Sequence, residues 1–155
     1  MITIKEAKRH VLDNRDAGVW CPCCGIYCQV YTFHFTANMA YSLMWLVKRR
    51  REGPEGEWVH VSDEGPRGSL KSRCEGKLEH WGVVERASKE LCPSRKRWSG
   101  LWRATAKGQH VADRIVRVPK FVRLYRNKVL EWSPETVDIK DALGTEFDYQ
   151  KLING

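Results

Sequence analysis

Residues 66–108 read PRGSLKSRCEGKLEHWGVVERASKELCPSRKRWSGLWRATAKG. The predicted fold of the chain depends most on these residues. Leu70, Cys74, Leu78 and Trp81 recur at i, i+4, i+8 and i+11, which is the spacing of one apolar helix face. Gly82 follows directly, and a glycine that adopts a positive φ commonly ends a helix. We therefore predict a helix that buries this face and ends at Gly82.

Two short strands and another helix follow this glycine. Residues 83–86 have the composition of a strand, and residues 98–104 predict its antiparallel return strand. Thr105 is the expected N-cap of the next helix, because its hydroxyl can accept a hydrogen bond from the first turn. We expect this helix to reach about residue 115. The loop between the strands is basic and contains Arg95, Lys96 and Arg97.

This order of elements resembles the winged helix of MarR-like proteins. The two motifs that carry the resemblance are Gly-Val-Val-Glu-Arg at residues 82–86 and Ala-Thr-Ala-Lys-Gly at residues 104–108. In that family the helix before the first motif enters the major groove of DNA, and the second motif closes the wing. The resemblance covers about residues 36–116. Where the family has its middle helix, this chain has Gly65-Pro66, so we expect that helix to be very short.

The resemblance implies an α+β fold with a winged helix-turn-helix at its centre. We predict three segments: an N-terminal helix and cysteine knuckle at 1–35, the winged helix at 36–118, and a β-hairpin with short acidic helices at 119–155. The whole chain also resembles small phage and prophage proteins in which a Cys-Pro-Cys-Cys-Gly knuckle precedes such a domain. That likeness brings no assigned activity.

The charge of the chain is unevenly distributed. The formal net charge is +8, and residues 48–128 contain 21 Lys or Arg but only 10 Asp or Glu. A basic domain favours a polyanionic partner, because neutralising phosphates releases counterions. No apolar run approaches the roughly 20 residues of a membrane span, and the N-terminus lacks a signal-peptide core. We expect a cytoplasmic protein with no membrane partner.

Double-stranded DNA is the partner that these features favour, and the predicted function is that of a phage or prophage transcriptional regulator. The helix before Gly82 would read the major groove, and the wing loop would contact phosphates or the minor groove. The predicted DNA-binding residues are Lys71, Ser72, Arg73, Lys77, Arg95, Lys96 and Arg97. We also expect a homodimer formed through terminal helices, as in MarR-like proteins.

Two other functions are compatible with the sequence. The chain could be a phage-encoded adaptor or inhibitor that uses a winged-helix scaffold to hold an acidic host protein, because a fold alone does not fix a function. An adaptor would present an uncharged exposed patch. Single-stranded DNA or RNA binding is the other reading, with Trp98, Trp102 and Tyr125 as stacking platforms.

Six cysteines are present, and in a cytoplasmic protein they are thiols or metal ligands rather than disulfides. Residues 21–25, Cys-Pro-Cys-Cys-Gly, resemble the knuckle of zinc ribbons, whose tight turn directs two thiolates at one ion. The predicted ligands of a structural zinc ion are Cys21, Cys24, Cys28 and His34, and Cys74 and Cys92 are further candidates. A thioredoxin-type redox pair and plain buried thiols are the alternatives.

Local signals predict the remaining elements. Thr3 and Glu6 have capping-box spacing, which starts a helix that runs to about Asn14. Residues 121–132 predict a β-hairpin with a two-residue turn and a basic edge. The five histidines are scattered, and the sequence contains no Gly-rich phosphate loop and no H-E-x-x-H motif, so we expect no enzyme.

Overall fold

The computed structural model describes residues 1–53, 58–65, 74–90 and 100–154. They form a mixed α+β fold with small antiparallel sheets. The helices are α1 Ile4–Asn14, α2 Ala37–Glu52, α3 Val61–Glu64, α4 Cys74–Leu78, α5 Ala106–Ala112, α6 Ile139–Leu143 and α7 Tyr149–Asn154. The strands are β1 Val19–Trp20, β2 Tyr27–Cys28, β3 Tyr31–His34, β4 Val59–His60, β5 Val84–Arg86, β6 Leu101–Ala104, β7 Val118–Pro119, β8 Phe121–Tyr125, β9 Lys128–Trp132 and β10 Thr136–Val137.

The chain divides into two compact units. Unit 1 comprises Met1–His34 and Phe121–Ser133, and unit 2 comprises Phe35–Lys120 and Pro134–Gly155. The predicted segments had grouped the hairpin with the C-terminal helices, whereas the structure groups it with the N-terminal residues. The physical reason is strand pairing, because β3 and β8 form one antiparallel ladder.

Unit 1 is built on a three-stranded antiparallel sheet with the order β3-β8-β9. The predicted two-residue turn between β8 and β9 is confirmed, since Arg126 and Asn127 have φ values of 51° and 64°, as a type I′ turn requires. The capping box of α1 is confirmed too, because Thr3 and Glu6 exchange both hydrogen bonds. A second hairpin, β1-β2, holds the Cys21–Gly25 turn.

Unit 2 is organised around α2, whose buried side chains cover more than one face. This helix contacts α4, α5, α6, α7 and β6. The three strands β4, β5 and β6 form an antiparallel sheet with the order β4-β6-β5. Between Ala37 and Ala112 the described helices and strands of this unit run α2, β4, α3, α4, β5, β6 and α5. As expected, α3 is very short.

The two sequence motifs of unit 2 contact each other. The Thr105 hydroxyl donates to the Gly82 carbonyl at 2.7 Å, and the Thr105 N–H donates to the Val83 carbonyl at 3.0 Å. Thr105 also accepts a hydrogen bond from the Gly108 N–H, which confirms it as the N-cap of α5. A Cβ atom on Gly108 would lie 2.1 Å from the Val83 carbonyl oxygen, so a glycine is needed for this close approach.

Two further predictions about unit 2 can be compared with the structure. Gly82 has φ 73° and ends the 3-10 turn Glu79–Trp81 that follows α4, which confirms the predicted stop. We expected α5 to reach about residue 115, but it ends at Ala112, and Arg114 adopts φ 64°. Arg114 then pairs with Asp138 at 3.1 Å.

The sequence did not predict the small sheet formed by β7 and β10. Its position is reinforced by Trp81, whose indole N–H donates to the Pro119 carbonyl at 3.0 Å.

Among the described residues, no helix combines the length and apolarity that crossing a bilayer would require.

Candidate functional site

Most of the predicted DNA-binding residues lie outside the described part of the chain. These are Lys71, Ser72, Arg73, Arg95, Lys96 and Arg97. Lys77 is described and is exposed on α4. Along the chain, α4 follows the first of these segments, and β5 and β6 precede and follow the second.

Many described cations of unit 2 already have acidic partners inside the unit. Arginine-to-carboxylate distances in four of these pairs are between 2.5 and 2.9 Å. The pairs are Arg49–Glu64, Arg51–Asp113, Arg86–Glu79 and Arg103–Glu85. Charges that are neutralised in this way contribute little to the attraction of a distant polyanion.

The basic run at the end of α2 follows the same pattern. Arg49 and Arg51 take part in the pairs just described, and Arg50 donates to the Ala104 carbonyl. Its cations also suit the negative C-terminal end of the helix dipole. The run is therefore explained by contacts inside unit 2, without a phosphate.

One buried acid lies in the helix that leads to Gly82. Glu75 on α4 is 7% exposed, and desolvation by burial raises the pKa of its carboxyl group. Because Glu75 and Lys77 stand two residues apart, they point to different sides of the helix, and Lys77 is the exposed one. The inner side of α4 thus carries a carboxyl group that resists ionisation.

In unit 1 the knuckle turn is closed by backbone hydrogen bonds. The Gly25 N–H donates to the Cys21 carbonyl at 2.9 Å, and the Cys21 N–H donates to the Ile26 carbonyl at 2.8 Å. The pKa of the Cys21 thiol is lowered, first by a hydrogen bond from the backbone of Cys24 and then by one from Cys23. This is the environment in which a thiol becomes a metal ligand or a nucleophile.

Four cysteines line one cavity of about 390 Å³ in unit 1. They are Cys21, Cys23, Cys24 and Cys28, and Tyr125 and Arg126 complete that side of the cavity. A side-chain hydrogen bond with Cys28 raises the pKa of Tyr125. The pKa of Arg126 is raised, first by the charge of Tyr125 and then by a hydrogen bond with Cys28.

The predicted zinc ligands are partly brought together. Cys21, Cys24 and Cys28 line the same cavity, whereas His34 does not. His34 is paired with Phe121 in the β3-β8 ladder. Phe121 lies four residues before Tyr125, which is roughly 14 Å along the strand. Among the described residues, no three His, Cys, Asp or Glu side chains converge closely enough to hold a metal ion. Zinc at this knuckle stays a prediction.

The other cysteine candidates are not in this cluster. Cys74 is buried in α4 of unit 2, and Cys92 lies outside the described residues. Arg126 and Tyr125 are members of the cavity that the sequence analysis did not associate with the cysteines. Only the pairing of β3 with β8 brings them there, and no local motif signals it.

The aromatic residues considered as stacking platforms are covered by arginines. Arg15 lies 4.8 Å above the Tyr125 ring, and Arg86 lies 4.8 Å above the Trp102 ring. Trp98 lies outside the described residues. Rings that already hold a guanidinium group are less accessible to a nucleic-acid base.

Comparison with known proteins finds no matching protein-family model, no matching curated protein and no matching solved structure.

Proposed function

We propose that unit 2 is a winged helix that binds double-stranded DNA and acts as a phage or prophage transcriptional regulator. Support for the fold comes from the order of elements together with the strand order β4-β6-β5. In a winged helix the third strand likewise lies between the first and the second. The contact between the Gly82 and Thr105 motifs adds to this support.

The distribution of acidic and basic residues along the sequence is the observation that favours DNA. Residues 66–73 and 91–99 together contain six Lys or Arg and no Asp or Glu. These residues are Arg67, Lys71, Arg73, Arg95, Lys96 and Arg97. The described arginines of unit 2, by contrast, largely have carboxylate partners. In the proposed fold the two acid-free segments are the reading helix and the wing, where DNA contacts are made.

The two segments are expected to play different roles. Lys71 and Arg73 would contact base edges, and each lost base contact costs roughly 1–3 kcal/mol and relaxes specificity at one position. Arg95, Lys96 and Arg97 would contact phosphates, so their loss would weaken binding to all sequences alike.

A selection from randomised duplex DNA at two salt concentrations tests this proposal. The expected result is enrichment of a defined sequence whose binding weakens as salt is raised. Enrichment should disappear for the Lys71→Ala, Arg73→Ala variant while general duplex binding remains. If the chain binds no duplex DNA at the lower salt concentration, the proposal is contradicted.

A protein-interaction role is the second candidate, because unit 1 presents exposed apolar residues. Trp20 is 67% exposed and its ring lies 4.9 Å from that of Tyr27, which is also exposed. Ile26 lies next to them in the same hairpin and is exposed too. Exposed apolar clusters of this kind mark interaction sites. An adaptor would keep its partner when the acid-free segments of unit 2 lose their charge, and would lose it in the Trp20→Ser, Ile26→Ser variant.

A further inference from the structure

Helix α1 directs an apolar stripe at the cavity of unit 1, and the protein covers only part of this stripe. Ile4, Ala7, Val11 and Leu12 all line the cavity, as expected for residues at i, i+3, i+7 and i+8 of one helix face. Ala7 and Val11 are buried, but Ile4 is 66% exposed and Leu12 is 58% exposed. The apolar surface at both ends of the stripe is therefore left to solvent.

The size and composition of the cavity suit a small molecule. Its volume of about 390 Å³ falls within the range of roughly 300–1,000 Å³ that is usual for ligand sites. Cys23, Cys24 and Cys28 also line the cavity, and protonated cysteine side chains behave as small apolar groups. All of the lining residues belong to unit 1, so one compact body forms the whole site.

Two cations line the same cavity without an acidic partner. Among the described residues, no carboxylate lies within ion-pair distance of Lys8 or Arg126. Arg123, three residues earlier in the same hairpin, pairs with both Asp16 and Glu131. The hairpin thus pairs Arg123, which does not line the cavity, with carboxylates, whereas Arg126 lies beside Cys28 and Tyr125 and has no carboxylate partner among the described residues.

We propose that this cavity binds a small amphipathic anion, with its apolar part against Ile4 and Leu12 and its acidic group paired with Arg126 and Lys8. Covering the two exposed side chains contributes a hydrophobic term, and a charge-assisted hydrogen bond to the guanidinium group selects for the acid. A carboxylate with a flexible alkyl chain has both properties. The proposed ligand is such an acid free in solution.

The test measures how well sodium decanoate displaces the fluorescent probe anilinonaphthalene sulfonate from the purified 155-residue chain. Decanol is the matched uncharged ligand. Decanoate should displace the probe at a concentration at least about tenfold lower than decanol does. Decanol cannot form the charge-assisted hydrogen bond, which is worth about 1.4 kcal/mol or more. Equal potency of the two ligands, or no displacement by either, would overturn the proposal.

Variants locate the site. Arg126→Gln and Lys8→Gln should each weaken decanoate binding and leave decanol binding unchanged. Lys5→Gln and Arg9→Gln are the matched controls, since they remove the same charge from α1 at positions that do not line the cavity. Leu12→Glu changes an exposed residue and should abolish binding without unfolding the chain, which a thermal unfolding curve checks. If the control variants weaken binding as much as Arg126→Gln does, the cavity is not the site.

Two arms of the experiment distinguish other occupants. If decanoate does not bind but vesicles of anionic phospholipid capture the chain, this face is assigned to a membrane surface and the proposal is overturned. If light scattering reports twice the mass of one chain and the Leu12→Glu variant prevents this doubling, the face is assigned to a second copy of the chain, which also overturns the proposal. None of these measurements involves DNA, so their failure leaves the proposed function of unit 2 untouched.

Discussion

Eleven of the twelve large apolar side chains that are exposed among the described residues belong to unit 1, although unit 2 is larger. Unit 2 encloses α2 between helices and the β4-β6-β5 sheet, so its apolar residues have partners within the unit. Unit 1 consists of one helix, one two-stranded hairpin and one three-stranded sheet, which are too few elements to do the same. The two units therefore differ in what they leave at the surface: unit 2 buries most of its large apolar side chains among its own elements, whereas unit 1 exposes many of its own.

The largest expected effect concerns the knuckle of unit 1. If Cys21 and Cys24 bind zinc, the purified chain should contain about one metal ion per molecule, and its binding energy would stabilise unit 1 by roughly 10 kcal/mol or more. Cys21→Ser should then lose the metal and the amide protection of unit 1, while unit 2 keeps its protection. Metal analysis and hydrogen exchange measure the two results.

His34 supplies the control for this prediction. Since His34 does not line the cysteine cavity, His34→Ala should retain the metal if the cysteines hold it. A metal-free chain in which unit 1 is fully protected would show that hydrogen bonds alone, including those of Arg126 and Tyr125, hold the knuckle.

Gly108 tests the close packing of unit 2. Gly108→Ala places a methyl group against the Val83 carbonyl, and overpacking of this kind should lower the free energy of unfolding by about 1–3 kcal/mol. Gly76→Ala is the matched control, because a Cβ atom there meets nothing within 4 Å and alanine is the better helix former. Denaturant unfolding of both variants makes the comparison, and equal stabilities would contradict the packing account.

A smaller effect is expected from Glu75. Burial raises the pKa of this carboxyl in the folded state, so the folded chain binds its proton more tightly than the unfolded chain does. The resulting contribution to stability is fully present below the unfolded-state pKa and is lost as pH rises through the folded-state pKa. Glu75→Gln should therefore raise the melting temperature at pH 7, and the gain should shrink towards pH 4. A gain that does not depend on pH would argue against a titrating Glu75.

Local features of the fold were predictable from the sequence because they depend on neighbouring residues. The caps at Thr3 and Thr105 and the turn at Asn127 are each set within a few positions. The grouping of the hairpin with the N-terminal residues was not predictable, because β3 and β8 are separated by almost ninety residues and strand composition does not specify a partner. The β7-β10 pair was missed for the same reason.

The candidate site shows the same boundary. The Cys-Pro-Cys-Cys-Gly segment is visible in the sequence because its ligand-like spacing is local. The positions of Arg126 beside Cys28 and of His34 away from the cavity follow from the register of β3 on β8. Nothing in the residues around His34 indicates how far along the sheet it lies from the cysteines.

The salt dependence of duplex binding tests the central claim, which is that the acid-free segments of unit 2 contact DNA. The measurement compares Arg95→Ala, Lys96→Ala, Arg97→Ala with Lys5→Ala, Arg9→Ala, Lys128→Ala, a triple variant that removes the same charge from unit 1. If the wing contacts phosphates, the first variant should reduce the slope of log affinity against log salt by roughly 3, and the second should leave it nearly unchanged. Equal slopes in the two variants would mean that only the net charge of the chain attracts DNA, which would contradict the account.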